Sequence, residues 1–133
     1  MKIGVTGSSG LVGFNFCKEA LRYNDKLNIL IRNDADYLNQ LGAETFYGDL
    51  NDKKVLDEFC KGCDVIIHSA AMISIGLDSY EEVYEVNYLG TKNLLESCVK
   101  MKVKKFIYIS SINAFNKTPV KKKLDETREL VRS

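Results

Sequence analysis

The sequence predicts an α/β fold built on one parallel sheet, and three observations carry that prediction. Hydrophobic periodicity switches repeatedly between the alternation of a strand and the 3.6-residue repeat of a helix, as in a chain of βα units. The runs at 65–68 and 105–110 are almost continuously apolar, the pattern of strands buried on both faces. A glycine-rich turn, Gly7-Ser8-Ser9-Gly10-Leu11-Val12-Gly13, joins the first strand to the first helix.

Each element has a local reason. Ile3 and Val5 make 2–6 a β-branched first strand, and a helix over 10–23 follows with Leu11, Val12, Phe14, Phe16, Cys17, Ala20 and Leu21 as its apolar positions. A second strand over 27–32 leads to a short helical stretch at 36–41 that stops at Gly42. The third strand is 44–47. After the loop Gly48-Asp49-Leu50, Asn51 or Asp52 caps a helix running to Cys60. The fourth strand is 65–68, a long helix covers 80–101, and the fifth strand is 105–110. Right-handed crossovers then give the strand order 3-2-1-4-5, with a topological switch between the first and fourth strands and a ligand crevice at the carboxyl ends beside it. This is a Rossmann-type three-layer arrangement, incomplete at its C-terminus. Residues 1–115 are expected to form a dinucleotide-binding unit at this crevice, since the glycine-rich turn there opens a helix amino terminus suited to a pyrophosphate. Residues 116–133, polar and basic around Pro119 and Lys121 to Lys123, form a loop or the start of a further region.

Composition narrows the partners. The 133 residues suit one domain, and a formal net charge of +1 gives no electrostatic argument for nucleic acid or a membrane surface. No apolar run approaches the roughly 20 residues of a membrane span, and the amino terminus reads as a core strand; a cytoplasmic location is expected. Cys60-Lys61-Gly62-Cys63 has redox-motif spacing but sits where a helix ends, whereas a redox pair opens a helix whose dipole lowers a thiol pKa. All four cysteines therefore read as small apolar residues. His68, with no companion ligands in sequence, reads as a structural histidine.

The glycine turn carries the first binding expectation. Gly7, Gly10 and Gly13 let the main chain take angles closed to other residues and let a pyrophosphate approach backbone N–H groups, while Gly13 brings helix and strand together. Arg32, ending the second strand, stands where an acidic residue would bind the ribose 2′-hydroxyl of NAD, and a guanidinium there suits the 2′-phosphate of NADP. Asp34 and Asp36 fall beyond the strand end. The cofactor expected is NADP, with NAD as the alternative.

Five motifs together resemble the extended short-chain dehydrogenase/reductase family of epimerases, dehydratases and ketone reductases. They are Thr6 to Gly13, Gly48-Asp49-Leu50, Asp64-Val65-Ile66-Ile67-His68-Ser69-Ala70-Ala71, Val86-Asn87-Tyr88-Leu89-Gly90-Thr91-Lys92-Asn93 and Phe106-Ile107-Tyr108-Ile109-Ser110-Ser111. The resemblance implies that Gly7, Ser9, Gly10, Leu11, Val12 and Gly13 hold the cofactor's phosphates and that Asp49 and Leu50 hold its adenine. Ala70 and Ala71 would line its ribose and nicotinamide, with Asn87 and Ser110 also in the cofactor site and Ser111 the catalytic serine. Arg32 and the stretch Ser111 to Asn116 look more like the dihydroflavonol-reductase-like and hydroxysteroid-dehydrogenase-like branch, which implies an oxidoreductase acting on a ketone or secondary alcohol. A nucleotide-sugar epimerase or dehydratase is the rival.

In the family a Tyr-x-x-x-Lys pair on the next helix passes the proton. The only such spacing here, Tyr88 to Lys92, precedes Ser111 and belongs to a different motif. Catalysis by this chain is thus left open, and a non-catalytic dinucleotide-binding or sensing module is the third reading. With the neighbouring elements missing, the fifth strand is expected to be an edge and the apolar stripe of the 80–101 helix to lack a cover. That predicts a homodimer through this helix, a partner segment, or disorder after Ser111.

Overall fold

A computed structural model describes residues 1–23, 25–33, 36–73, 79–117, 120–121 and 123–131; Asp34, Pro119 and Lys122 lie outside them. Strands β1 (Lys2–Thr6), β2 (Lys26–Ile31), β3 (Glu44–Tyr47), β4 (Val65–His68) and β5 (Lys105–Tyr108) form one sheet of order β3-β2-β1-β4-β5. Every adjacent pair is parallel, with Val5 opposite both Ile29 and Ile67 at the centre.

The helices are α1 (Leu11–Arg22), α2 (Asp36–Asn39), α3 (Lys53–Cys60), α4 (Tyr80–Tyr84) and α5 (Gly90–Lys100). Alternation along the strands builds two apolar layers. Ile3, Val5, Ile29, Ile31 and Ile67 pack with Cys17 and Ala20 of α1 and Leu38 of α2. Leu30 and Ile66 point the other way, into Leu56, Phe59 and Cys60 of α3 and Leu94 and Cys98 of α5. All four cysteines are buried thiols. Burial pushes the Cys17 and Cys63 thiols up to about 11, the opposite of what a reactive thiolate requires.

Asp52, rather than Asn51, caps α3, its carboxylate accepting from the Lys54 and Val55 N–H groups at 3.1 Å. Buried Asn28 in β2 donates to the Phe59 carbonyl at 2.8 Å, pinning the end of α3 to the sheet. Ser79 and Glu82 form a reciprocal capping box that starts α4.

Three expectations require correction. The 80–101 helix is not continuous: a π-helical turn, Glu85–Leu89, separates α4 from α5, and the Gly90 N–H bonds the Glu85 carbonyl. Apolar spacing reports which face is buried but not the register of the backbone ladder. β5 is largely exposed, with Tyr108 at 48 %. Its apolar run indicates two covered faces, yet it is the last strand of the sheet and packs chiefly on β4, as the edge expectation holds. Leu11 and Val12 are exposed rather than part of the buried stripe of α1, because they occupy its first turn, which projects beyond the sheet packing made by Gly13, Cys17 and Ala20.

Beyond β5, Ser111 accepts from the Asn113 N–H and starts a single 3₁₀ turn, Ile112–Ala114. An antiparallel bridge between Phe115 and Leu130 folds the following segment back on itself, through Asn116 N–H to the Glu129 carbonyl and Val131 N–H to the Ala114 carbonyl. Among the described residues, no helix is long and apolar enough to cross a membrane.

Candidate functional site

At the carboxyl ends of β1, β2, β3 and β4 the loops enclose a cavity of about 360 Å³. The turn after β1 contributes Thr6, Gly7, Ser9 and Gly10, and β2 ends on it with Leu30 and Ile31, so that Arg32, expected as the last strand residue, is instead the first residue of the loop that follows. The loop after β3 contributes Gly48 to Asn51, the loop after β4 contributes Ser69 to Met72, and Val86 enters from the π-helical turn. The cavity lies at the switch point, where the chain leaves the neighbouring strands β1 and β4 toward opposite edges of the sheet.

Two glycines make this convergence possible. Gly7 has φ +72, and a Cβ there would lie 2.6 Å from the Ala70 nitrogen, so the first and fourth loops meet only because no side chain intervenes. A Cβ on Gly13 would lie 2.2 Å from the Gly7 carbonyl oxygen, so α1 rests directly on the turn. Gly10 is the N-cap of α1 and provides no side-chain cap, leaving the first-turn N–H groups of Leu11, Val12 and Gly13 without a side-chain acceptor. A 12-residue helix opening in this way presents partial positive charge to an anion.

The remaining walls are braced from behind. Asp49 accepts from the Asn51 N–H at 2.6 Å, closing an Asx turn, and Asn93 of α5 donates to the Leu50 carbonyl at 3.1 Å. Ser69 donates its hydroxyl to the Thr6 carbonyl at 2.7 Å. Asn87 uses its side-chain amide on both backbone groups of Met72, accepting from N–H at 2.8 Å and donating to the carbonyl at 2.9 Å. His68 is fully buried between Thr6 (Nδ1, 2.6 Å) and Thr91 (Nε2, 2.8 Å), and burial lowers its pKa to about 4.

Of the residues singled out from sequence, Gly7, Ser9, Gly10, Arg32, Asp49, Leu50, Ala70 and Ala71 are brought together around the cavity. Leu11, Val12 and Gly13 stand at the adjoining helix end. Asn87 is not on the cavity wall; its side chain is engaged by Met72. Ser110 and Ser111 are exposed past β5 and likewise do not line it. Met72, Val86 and Asn51 line it without having been singled out. Their signal was adjacency, since each lies next to a motif residue at a strand end or helix start.

A parallel sheet of this order, with a glycine turn and an open helix amino terminus at its switch point, defines a nucleotide-binding α/β protein. Residues 4–132 match the 3-beta hydroxysteroid dehydrogenase/isomerase family, and the chain belongs to that family. It is 31% identical over 117 residues to sterol demethylase protein B of Methylococcus capsulatus, covering 86% of this chain and 36% of that protein. It is 33% identical over 112 residues to sterol-4-alpha-carboxylate 3-dehydrogenase, decarboxylating, of Dictyostelium discoideum, covering 80% of this chain and 34% of that one. Among solved structures, the UDP-glucose 4-epimerase of Thermus thermophilus in complex with NAD superposes with a TM-score of 0.83 at 26% identity, over 98% of this chain and 44% of the epimerase. The chain thus spans about a third of the length of these curated relatives.

Proposed function

We propose that this chain is the dinucleotide-binding portion of an NADP-dependent oxidoreductase acting on a ketone or secondary alcohol, in the cytoplasm. The observation that carries the reading is the open amino terminus of α1 beside the Gly7 and Ala70 contact, at the point where four loops converge. Family membership and the NAD-bound epimerase support the cofactor class, and the relative named a 3-dehydrogenase supports the reaction class.

The residues present fit a dinucleotide. First-turn N–H groups of Leu11 and Val12 would hold the pyrophosphate, and the Asp49 and Leu50 loop would hold the adenine. Ala70 and Ala71 would form the small-residue wall beside the ribose and nicotinamide, leaving the other side for substrate. When bound, the nicotinamide supplies hydride transfer. Ser111, past the end of β5, would donate a hydrogen bond to the substrate oxygen.

NADP rather than NAD follows from Arg32. It directly follows β2 on the cavity wall, and among the described residues the acid on that wall, Asp49, comes from the β3 loop instead. Fluorescence titration with NADPH and NADH tests both levels of the reading. NADPH is expected to bind at least about tenfold more tightly, equivalent to about 1.4 kcal/mol, and Arg32→Asp to abolish the difference. Equal or tighter binding of NADH overturns the assignment of Arg32; binding of neither overturns the dinucleotide reading.

A further inference from the structure

The hydrogen bonds around His68 have only one consistent direction. The Thr91 hydroxyl donates its single proton to the Asn87 carbonyl at 2.7 Å, so at the 2.8 Å contact with His68 it accepts, and His68 carries its proton on Nε2. Nδ1 is then an acceptor, and Thr6 donates to it at 2.6 Å. The Thr6 oxygen in turn accepts from the Ala70 N–H at 3.4 Å. A single chain therefore runs from the Ala70 N–H through Thr6, His68 and Thr91 to the Asn87 carbonyl.

One end of this chain lies on the cavity wall, and the other holds the same wall through Met72. Ala70 is part of that wall, and Asn87, where the chain ends, clamps both backbone groups of Met72, two residues further along it. His68 and Thr91 do not line the cavity. Buried side chains of β4 and α5 thus brace a loop that faces ligand, across the π-helical turn that carries Asn87.

We propose that His68 is a positioning residue: through Thr6 on one side and Thr91 with Asn87 on the other, it fixes the Ala70 to Met72 wall and sets the affinity for the nicotinamide half of the dinucleotide. This rests on the dinucleotide reading above and deepens it. The adenine half has separate support from Asn93 on the Leu50 loop, so loosening the His68 chain acts on one half of the ligand only. A neutral imidazole is required, because a proton on Nδ1 would face the Thr6 hydroxyl and remove its acceptor. The burial that lowers the His68 pKa to about 4 keeps it neutral under ordinary conditions, with the Tyr108 ring of β5 5.4 Å away, centroid to centroid, and Phe106 beside it.

Thr91→Val removes the acceptor for Nε2–H without touching the cavity, and Thr91→Ser restores it. Titration of NADPH and of ADP into this chain is the test. Thr91→Val is expected to weaken NADPH about tenfold, from a lost buried hydrogen bond, while ADP stays within about twofold and Thr91→Ser binds both as the unsubstituted chain does. The chain has one histidine, so its imidazole ¹⁵N spectrum reports His68 alone. An Nε2–H tautomer whose nitrogens both shift on NADPH addition is expected. Unchanged NADPH affinity in Thr91→Val, equal weakening of NADPH and ADP, or an Nδ1–H tautomer overturns the proposal. If Thr91→Val does not fold, the tautomer and its response to NADPH decide. Failure of the unsubstituted chain to bind any dinucleotide overturns the parent reading and this one together, whereas tight binding unaffected by Thr91→Val overturns this one alone.

Discussion

A methyl group at position 13 would lie 2.2 Å from the Gly7 carbonyl oxygen, a contact that no side-chain rotation can relieve because the backbone fixes the positions of both the Cβ and the oxygen. Alanine ordinarily favours a helix over glycine by about 1 kcal/mol, but here the clash outweighs that gain. Gly13→Ala is expected to destabilise the chain by about 1–3 kcal/mol, read as a lower urea midpoint; an unchanged or higher midpoint would show that α1 does not rest on the turn as described. His68 gives a second prediction. Its pKa falls from 6.5 to about 4 on folding, so the unfolded chain binds a proton that the folded chain refuses between those values. Stability is fullest above pH 6.5 and declines as pH falls toward 4, by about 2 kcal/mol between pH 7 and pH 5. Asp57 and Glu96 are held below the usual carboxylate range by hydrogen bonds to Lys100 and Lys53, and Asp64 by Lys104, so their losses come at lower pH and leave this window to the histidine. Urea unfolding at pH 7 and pH 5 checks it; a flat profile would contradict the burial of His68.

At the scale of elements, caps and braces decide where each segment stops and how it is held. Asp52 satisfies two first-turn donors of α3, the helix that carries Leu56, Phe59 and Cys60 into the core. Asp52→Ala is expected to cost about 1 kcal/mol without altering cofactor affinity, since Asp52 is not on the cavity wall; chemical denaturation with parallel NADPH titration tests both halves. The π-helical turn is the element whose local geometry most affects the site. It places Val86 on the cavity and Asn87 against Met72 within one stretch of chain. Sequence periodicity at 80–101 correctly reported a helical segment. The widened turn escaped it because apolar spacing marks the buried face and not the register of the backbone ladder.

At the scale of the molecule, two exposed groups of large side chains stand out. Tyr80, Tyr84 and Tyr88 stack in a ladder with ring centroids 6.0 and 4.8 Å apart, all three exposed, and the edge strand β5 exposes Ile107 and Tyr108. Uncovered side chains of this kind favour association. Light scattering across a concentration series is expected to show self-association of this chain, reduced when Tyr84 and Tyr88 are both replaced by Asp; a monomer at every concentration would contradict it. NADPH binding should also raise the unfolding temperature in a concentration-dependent way, by mass action on the folded state.

The sequence by itself determined the order and type of the elements, the strand order, the switch-point cavity and eight residues on its wall, because periodicity, caps and glycine spacing are local signals of backbone demand. It also supported the family assignment through five motifs in order. Tertiary structure decided what depends on distant neighbours: the exposure of β5, the π-helical turn, the engagement of Asn87 by Met72 and the position of Ser111 outside the cavity. It alone revealed the chain of hydrogen bonds through His68, since Thr6, His68 and Thr91 meet only after three separate elements pack, and the direction of a proton is fixed by the partners that packing supplies.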